Sequence, residues 1–484
     1  MGNTLRSLVD YCPDSLAVSI SEVYSRRKGK RKLELENKEE NEWLECLQQP
    51  KTKKLLSTAH YIYQALFVDG KDSDITVNIL NKDFKLHRVY LGQSQYFNSM
   101  FSGSWKESSK DYISIVVEDP NITLDALTIV LGSFYLDEVK LEPCMVVGVL
   151  AASTMFQMDG LIEQCCEIMY ESASPVTAVQ YYQVACNYGL QKVKEKVLNW
   201  FLVNIIDYYS KNPKRLREID IDLMSAIVSH PGLCIIQTEM NLYFLLRKWL
   251  YLQLHPDVDL TTCKNDPCEI FFKKSKETNA FLLTSKGLPY LNIFRNLRLD
   301  NLILHPHDVP IITADRIIPE SWFQASFKNQ WLAMLDIFSG NKGVESIEES
   351  EFLQNCYRCG RVISTQDSLS WRWSGFSFGI DLVWSMCDNI VTLRRNRSQL
   401  EFANSYLPHH IVLKVEVMNL NEKRQVKRFA SSGMLNVSLL RGQEINVLTL
   451  DSDFDYPMYI IIHHLLRSKE KEKEKEKEKK TTST

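Results

Sequence analysis

Ser73-Asp74-Ile75-Thr76-Val77-Asn78-Ile79, followed by Leu86-His87-Arg88, Ser94-Gln95-Tyr96-Phe97, Met100-Phe101 and Trp105-Lys106-Glu107, is the stretch that decides the fold. Ile75, Val77 and Ile79 alternate with polar neighbours at a period of two, as in a strand with one buried face. Asn81-Lys82-Asp83 supplies turn chemistry, so the strand enters a hairpin. Tyr96, Phe97, Met100 and Phe101 recur at helical spacing, which predicts a helix after His87 that ends near Gly103. Ile113, Ile115 and Val117 alternate again. Leu124, Leu127 and Leu131, with Phe134 and Tyr135, form a helical stripe after Asn121 and Thr123, either of which could cap it. Helical segments from Met145 to Phe156 and from Leu161 to Tyr170 complete the set. Strands followed by helices read as an α+β fold.

Working outward, residues 58–172 hold this unit and 173–260 are helical. Amphipathic stripes there include Val193, Val197, Trp200 and Phe201, then Leu242, Leu245, Leu246, Trp249 and Leu250, broken at Gly189, Asn212-Pro213 and His230-Pro231-Gly232. Residues 261–365 show no persistent period and read as a connecting region. From 366 to 467 the texture turns aromatic and β-branched. Trp371-Arg372-Trp373, Ile411-Val412-Leu413-Lys414-Val415-Glu416-Val417 and Ile445-Asn446-Val447-Leu448-Thr449-Leu450, with breaks at Gly375, Gly379, Gly433 and Gly442, predict an antiparallel β-rich module. In the tail, 468–484, Lys and Glu alternate from Lys469 to Lys479, a pattern that mixes like and opposite charges along a helix and favours a solvated tail.

The flexible N-terminal segment, 1–57, carries Arg26, Arg27, Lys28, Lys30, Arg31 and Lys32, a dense basic cluster suited to nuclear import receptors; the competing reading is a solvated charge run. Gly2 suggests N-myristoylation, but Arg6 stands where that motif wants Ser or Thr.

At 484 residues the chain is long enough for about three domains. A formal net charge of -3 gives the whole molecule no general attraction to nucleic acid or anionic membrane. Twelve scattered cysteines without a secretory leader favour a reducing compartment and packed thiols. No apolar run is long enough to span a bilayer.

Enzymatic signatures are missing: there is no Walker loop, His-Glu-x-x-His pair or dinucleotide fingerprint. Gly92-Gln93-Ser94 begins like a nucleophile elbow, but Tyr96 replaces the small glycine that the strained turn requires. Cys356-Tyr357-Arg358-Cys359 has the spacing of a zinc half-site; Cys387, His409 and His410 could complete it, and packed thiols are the alternative. The chain reads as a non-enzyme without a cofactor or metal.

The run from Ser73 to Glu107, with Met100-Phe101-Ser102-Gly103-Ser104-Trp105-Lys106-Glu107-Ser108 and the later Arg358-Cys359-Gly360-Arg361 and Trp371-Arg372-Trp373-Ser374-Gly375-Phe376, resembles the germ cell-less family of BTB (POZ) proteins over residues 50 to 465. Leu223 to Leu250 resembles the BACK region that follows many BTB domains. The resemblance implies a homodimeric substrate adaptor of a cullin-3 ubiquitin ligase, nuclear and at work in germ cells (spermatogenesis), with nuclear-envelope proteins as further partners. It also implies that Trp105, Lys106 and Glu107 fit the hydrophobic-x-Glu motif that touches the cullin, and that Asp74 and His87 belong to a buried polar framework. A large aromatic buries about 150–250 Å² in a groove, and a carboxylate two residues on fixes its orientation. Trp105 could instead cover the edge of its own domain. The rival function is a nuclear scaffold or transcription-associated protein at the envelope, without a ligase. The protein substrate cannot be read from the sequence.

Overall fold

The computed structural model describes residues 58–103, 108–258, 267–273, 279–338, 347–372, 380–396, 408–452 and 454–466. Two compact units divide them: one runs up to Glu118 and includes Thr128–Val139, the other takes Asp119–Leu127 and everything from Lys140 on.

In the first unit, α1 (Thr58–Ile62) continues as a π-helical turn, Tyr63–Val68. β1 (Ile75–Ile79) and β2 (Lys82–Leu86) form an antiparallel hairpin with Ile79 opposite Lys82. The turn is tighter than expected: Leu80 and Asn81 make it at φ 52° and 61°, and Lys82 and Asp83 already belong to β2. This is the left-handed pair of a two-residue hairpin, whose twist matches that of the strands.

α2 (Arg88–Leu91) and α3 (Gln95–Ser102) follow as two helices, where one was expected. The break falls at Ser94, whose hydroxyl accepts the Phe97 N–H at 3.4 Å and so caps α3. That buried serine is a helix cap. β3 (Tyr112–Ile115) pairs in parallel with β1, giving the order β2-β1-β3. Ile75, Val77, Ile79, Phe97, Val130 and Leu131 are buried, and each such side chain contributes about 1.5–3 kcal/mol when removed from water.

α4 (Leu124–Ser133) crosses between the two sets of residues, and Thr123 caps it by accepting the Ala126 N–H at 3.2 Å. The second unit continues with α5 (Val146–Met155), α6 (Asp159–Ser172), α7 (Ala178–Asn187), α8 (Gln191–Asn204), α9 (Pro213–Arg217), α10 (Ile221–Ser229) and α11 (Glu239–Leu254). The stretch that showed no period is built of short pieces: α12 (Pro267–Lys273), α13 (Leu291–Arg295), α14 (Asp308–Asp315), the longer α15 (Glu320–Phe338) and α16 (Glu349–Asn355), with single 3-10 turns between some of them.

Strand structure begins at β4 (Tyr357–Ile363), ahead of the expected start at 366, and continues with β5 (Leu369–Trp371), β6 (Leu382–Cys387), β7 (Ile390–Arg395), β8 (His409–Leu420), β9 (Val426–Ser431), β10 (Leu435–Leu439), β11 (Glu444–Thr449) and β12 (Met458–Leu465). One sheet runs β10-β8-β12-β4 with β9 also on β8, and the other runs β11-β7-β6-β5. Trp384, Val391 and Leu393 of the second share one core with Val415, Val417, Ile460 and Ile462 of the first, the arrangement of a sandwich. Gly433 and Gly442 break the strands as expected, at φ 63° and 80°, where a side chain would be strained.

Among the described residues no helix is long and apolar enough to cross a membrane.

Candidate partner-binding site

Trp105, Lys106 and Glu107 lie outside the described residues, as do Arg26, Arg27, Lys28, Lys30, Arg31 and Lys32 and the whole of 1–57 and 467–484. What the structure places is the frame on either side of residues 104–107. Upstream, α3 ends at Ser102 with Gly103 as its cap. Downstream, the chain resumes at Ser108 and enters β3 at Tyr112.

Arg88 ties the two sides together. Its guanidinium donates to the carbonyl of Ser108 at 2.9 Å and to that of Lys110 at 2.6 Å, while the same group lies 4.8 Å over the Phe101 ring. The planar fork suits this task because it can satisfy two carbonyls and stack at once. Phe101 in turn stacks on buried Phe97, with ring centroids 6.0 Å apart.

Arg88 is held from behind. Its backbone N–H donates to Asp74 Oδ1 at 2.9 Å, so Asp74 satisfies one of the free donors at the start of α2. Asp74 is exposed, which corrects the expectation of a buried framework residue: its contribution is a surface cap. His87, one residue earlier, is buried. Its backbone N–H donates to the Tyr135 hydroxyl at 3.0 Å, its Nε2 donates to the Lys71 carbonyl at 2.9 Å, and its Nδ1 lies 3.1 Å from the Tyr135 oxygen. With Nε2 carrying the proton, Nδ1 accepts the Tyr135 O–H. Burial pushes the Tyr135 hydroxyl up to about 12, against the opposing pull of the His87 N–H, with Asp74 and Tyr90 adding to the rise. Tyr135 therefore stays a neutral donor at any ordinary pH.

Arg88 is the bracing residue of this frame that composition and spacing missed. A lone arginine after Leu86-His87 carries no periodic signal, and its role appears only when residues 101, 108 and 110 are brought to it.

Of the two readings of Cys356 and Cys359, zinc half-site or packed thiols, the surroundings of both sulfurs support packing. Cys356 belongs to a small cluster with Phe352, Val412 and Leu465 and accepts from Arg298 at 3.4 Å, while Cys359 belongs to the sandwich core and points its thiol at the Ile462 carbonyl. Burial pushes both thiols above their ordinary range. Among the described residues no group of three or more His, Cys, Asp or Glu could hold a metal ion.

The BTB/POZ domain family profile matches residues 63–173. The protein named germ cell-less from Drosophila melanogaster is 37% identical over 486 residues, covering 93% of this chain and 84% of that protein. Germ cell-less protein-like 1 from Homo sapiens is 36% identical over 433 residues, covering 88% of this chain and 84% of its own length. Kelch repeat and BTB domain-containing protein 8 from Xenopus tropicalis is 27% identical over 188 residues, covering 38% of this chain and 30% of that protein.

Proposed function

The chain belongs to the germ cell-less family of BTB/POZ proteins, and on that footing we propose that it is a substrate-specific adaptor of a cullin-3 ubiquitin ligase. It pairs with a second copy through the BTB domain, presents Trp105 and Glu107 to the cullin, extends that contact with the helical region, and selects its protein substrate with the β-rich module. Its work is nuclear and belongs to germ cells. The adaptor forms no covalent intermediate; it raises the effective concentration of a substrate lysine near a charged ubiquitin carrier.

The observation that carries the reading is the Arg88 clamp. A segment that must offer an indole and a carboxylate to a partner gains affinity when its two ends are fixed beforehand, because less ordering is left to binding. Arg88 holds Phe101 on one side and Ser108 and Lys110 on the other. The match of Kelch-type BTB proteins to part of this chain adds support.

The test is capture of cullin-3 by the full chain. Wild type retains the cullin, and Trp105→Ala with Glu107→Ala loses it while the dimer persists in sedimentation. Capture that survives the double change removes the motif assignment. No capture by wild type leaves a nuclear scaffold without a ligase.

A further inference from the structure

The tip of the β8–β9 hairpin, Asn421–Gln425, is bonded far beyond what closing a turn requires. Locally the Asn421 N–H donates to the Gln425 carbonyl at 2.9 Å and the Arg424 N–H to the Asn421 carbonyl at 2.8 Å. Arg424 takes φ 59°, the left-handed region in which glycine or asparagine is the unstrained choice.

Its side chain accounts for an arginine there. Nε donates to Asn204 Oδ1 at 2.8 Å, Nη2 donates to Asp207 Oδ2 at 2.6 Å and to the Tyr459 hydroxyl at 3.3 Å, and the guanidinium lies 5.3 Å over the Tyr208 ring. The Asn204 amide donates back to the Arg424 carbonyl at 3.0 Å, and the Trp200 indole N–H to the Lys423 carbonyl at 3.2 Å. On the other flank Gln425 Nε2 reaches the carbonyls of Tyr170 and Ala173 at 3.3 and 2.9 Å, and Lys423 Nζ that of Glu171 at 3.0 Å. Those carbonyls belong to the last turn and cap of α6, where helix geometry leaves acceptors without partners. The hairpin thus caps one helix and grips the end of another.

We propose that this tip is a latch, with Arg424 as its positioning residue, which makes the β-rich module and the helical region move as one body. Asp207 is its anchor. Burial alone would raise that carboxyl, but the bonds from Lys211, Arg424 and Tyr459 outweigh it and hold the group below its ordinary range. The consequence for activity rests on the adaptor reading: a substrate module fixed to the arm that meets the cullin delivers substrate at one distance, whereas a swinging one dilutes it.

The experiment is hydrogen exchange on the full chain carrying Arg424→Gly or Arg424→Lys. Glycine relieves the left-handed backbone and keeps the hairpin closed, so it separates the latch from local folding. Arg424→Gly is expected to speed exchange about tenfold or more at residues 200–209 and 421–431, leaving β4, β6 and β12 unchanged, with Arg424→Lys between it and wild type. Unchanged exchange at both sites overturns the latch, and so does a uniform rise along the chain, which marks a residue of the fold at large. Cullin-3 capture by the same Arg424→Gly chain reports separately on the adaptor reading, since Trp105 and Glu107 are untouched.

Discussion

Arg88 joins positions that lie 13 to 22 residues from it along the chain: Phe101, Ser108 and Lys110. Two hydrogen bonds from one charged group would be worth about 3 kcal/mol or more if buried, but the side chain is only half-buried and one bond is exposed, so Arg88→Ala should lower stability by about 1–2 kcal/mol. On the adaptor reading proposed above, cullin capture should fall far more than stability does, and urea unfolding beside the pull-down distinguishes the two losses. Lysine at 88 should rescue little, since an ammonium cannot stack on Phe101 while spanning both carbonyls. Leu80 is the opposite case. It sits at φ 52° in the hairpin turn with its side chain 42% exposed, so it has strain and little burial to lose. Leu80→Asn should raise stability by about 1 kcal/mol at most, read as a higher midpoint in thermal denaturation.

Among the elements, β12 shows why part of the fold was hidden in the sequence. All eight of its residues are buried, so Tyr459-Ile460-Ile461-Ile462-His463-His464 has no alternation to reveal a strand; only its β-branched content hints at one. β4 is likewise buried on both faces over most of its length; its Cys359, with Cys356 just ahead of the strand, left zinc and packed thiols as alternatives, and the structure has packing. β1, with one face buried and the other half-open, was legible from its period of two. The pieces between α12 and α16 are mostly too short to develop a helical stripe. In the candidate site, the triplet was visible as a motif, but the clamp was not, because it is built from tertiary contacts.

β12 also sets an acid limit. His463 and His464 are wholly buried and held down to about 3, by burial first; Arg298, Arg358 and Lys414 add to the effect at His463, whose ring nitrogens have no hydrogen-bond partner among the described residues. Both rings are neutral in the folded chain and gain a proton near 6.5 when unfolded, so between these values the unfolded state binds more protons. Stability is therefore full above about pH 6.5 and declines as pH falls toward 3. Unfolding midpoints measured from pH 7 to pH 4 should drop, and His464→Phe, which keeps a ring stacked on Tyr357, should make the drop shallower. A second element-scale outcome concerns β4 and α11. Arg358 and Glu239 pair at 2.7 Å with almost no exposure, so Glu239→Gln or Arg358→Met alone should cost about 3–5 kcal/mol by leaving the other charge buried and unmatched.

At the scale of the whole molecule, a net charge of -3 offers no general pull toward nucleic acid, so the nuclear placement we propose is assigned to the basic cluster at 26–32. Alanine at Arg26, Arg27, Lys28, Lys30, Arg31 and Lys32 should shift a fluorescent fusion of the chain from nucleus to cytoplasm; retention in the nucleus would assign import to another segment or a partner.

The parallel pairing of β3 with β1 carries a consequence for synthesis. Antiparallel β1 and β2 can close as soon as their turn has emerged, whereas β3 must return past α2 and α3 before Thr76 meets Tyr112. Lys110, which Arg88 grips, is two residues short of that strand. Until the third strand docks, Arg88 lacks the Ser108 and Lys110 carbonyls that it bonds in the finished domain, so this clamp closes only after residue 112 has left the ribosomal exit tunnel.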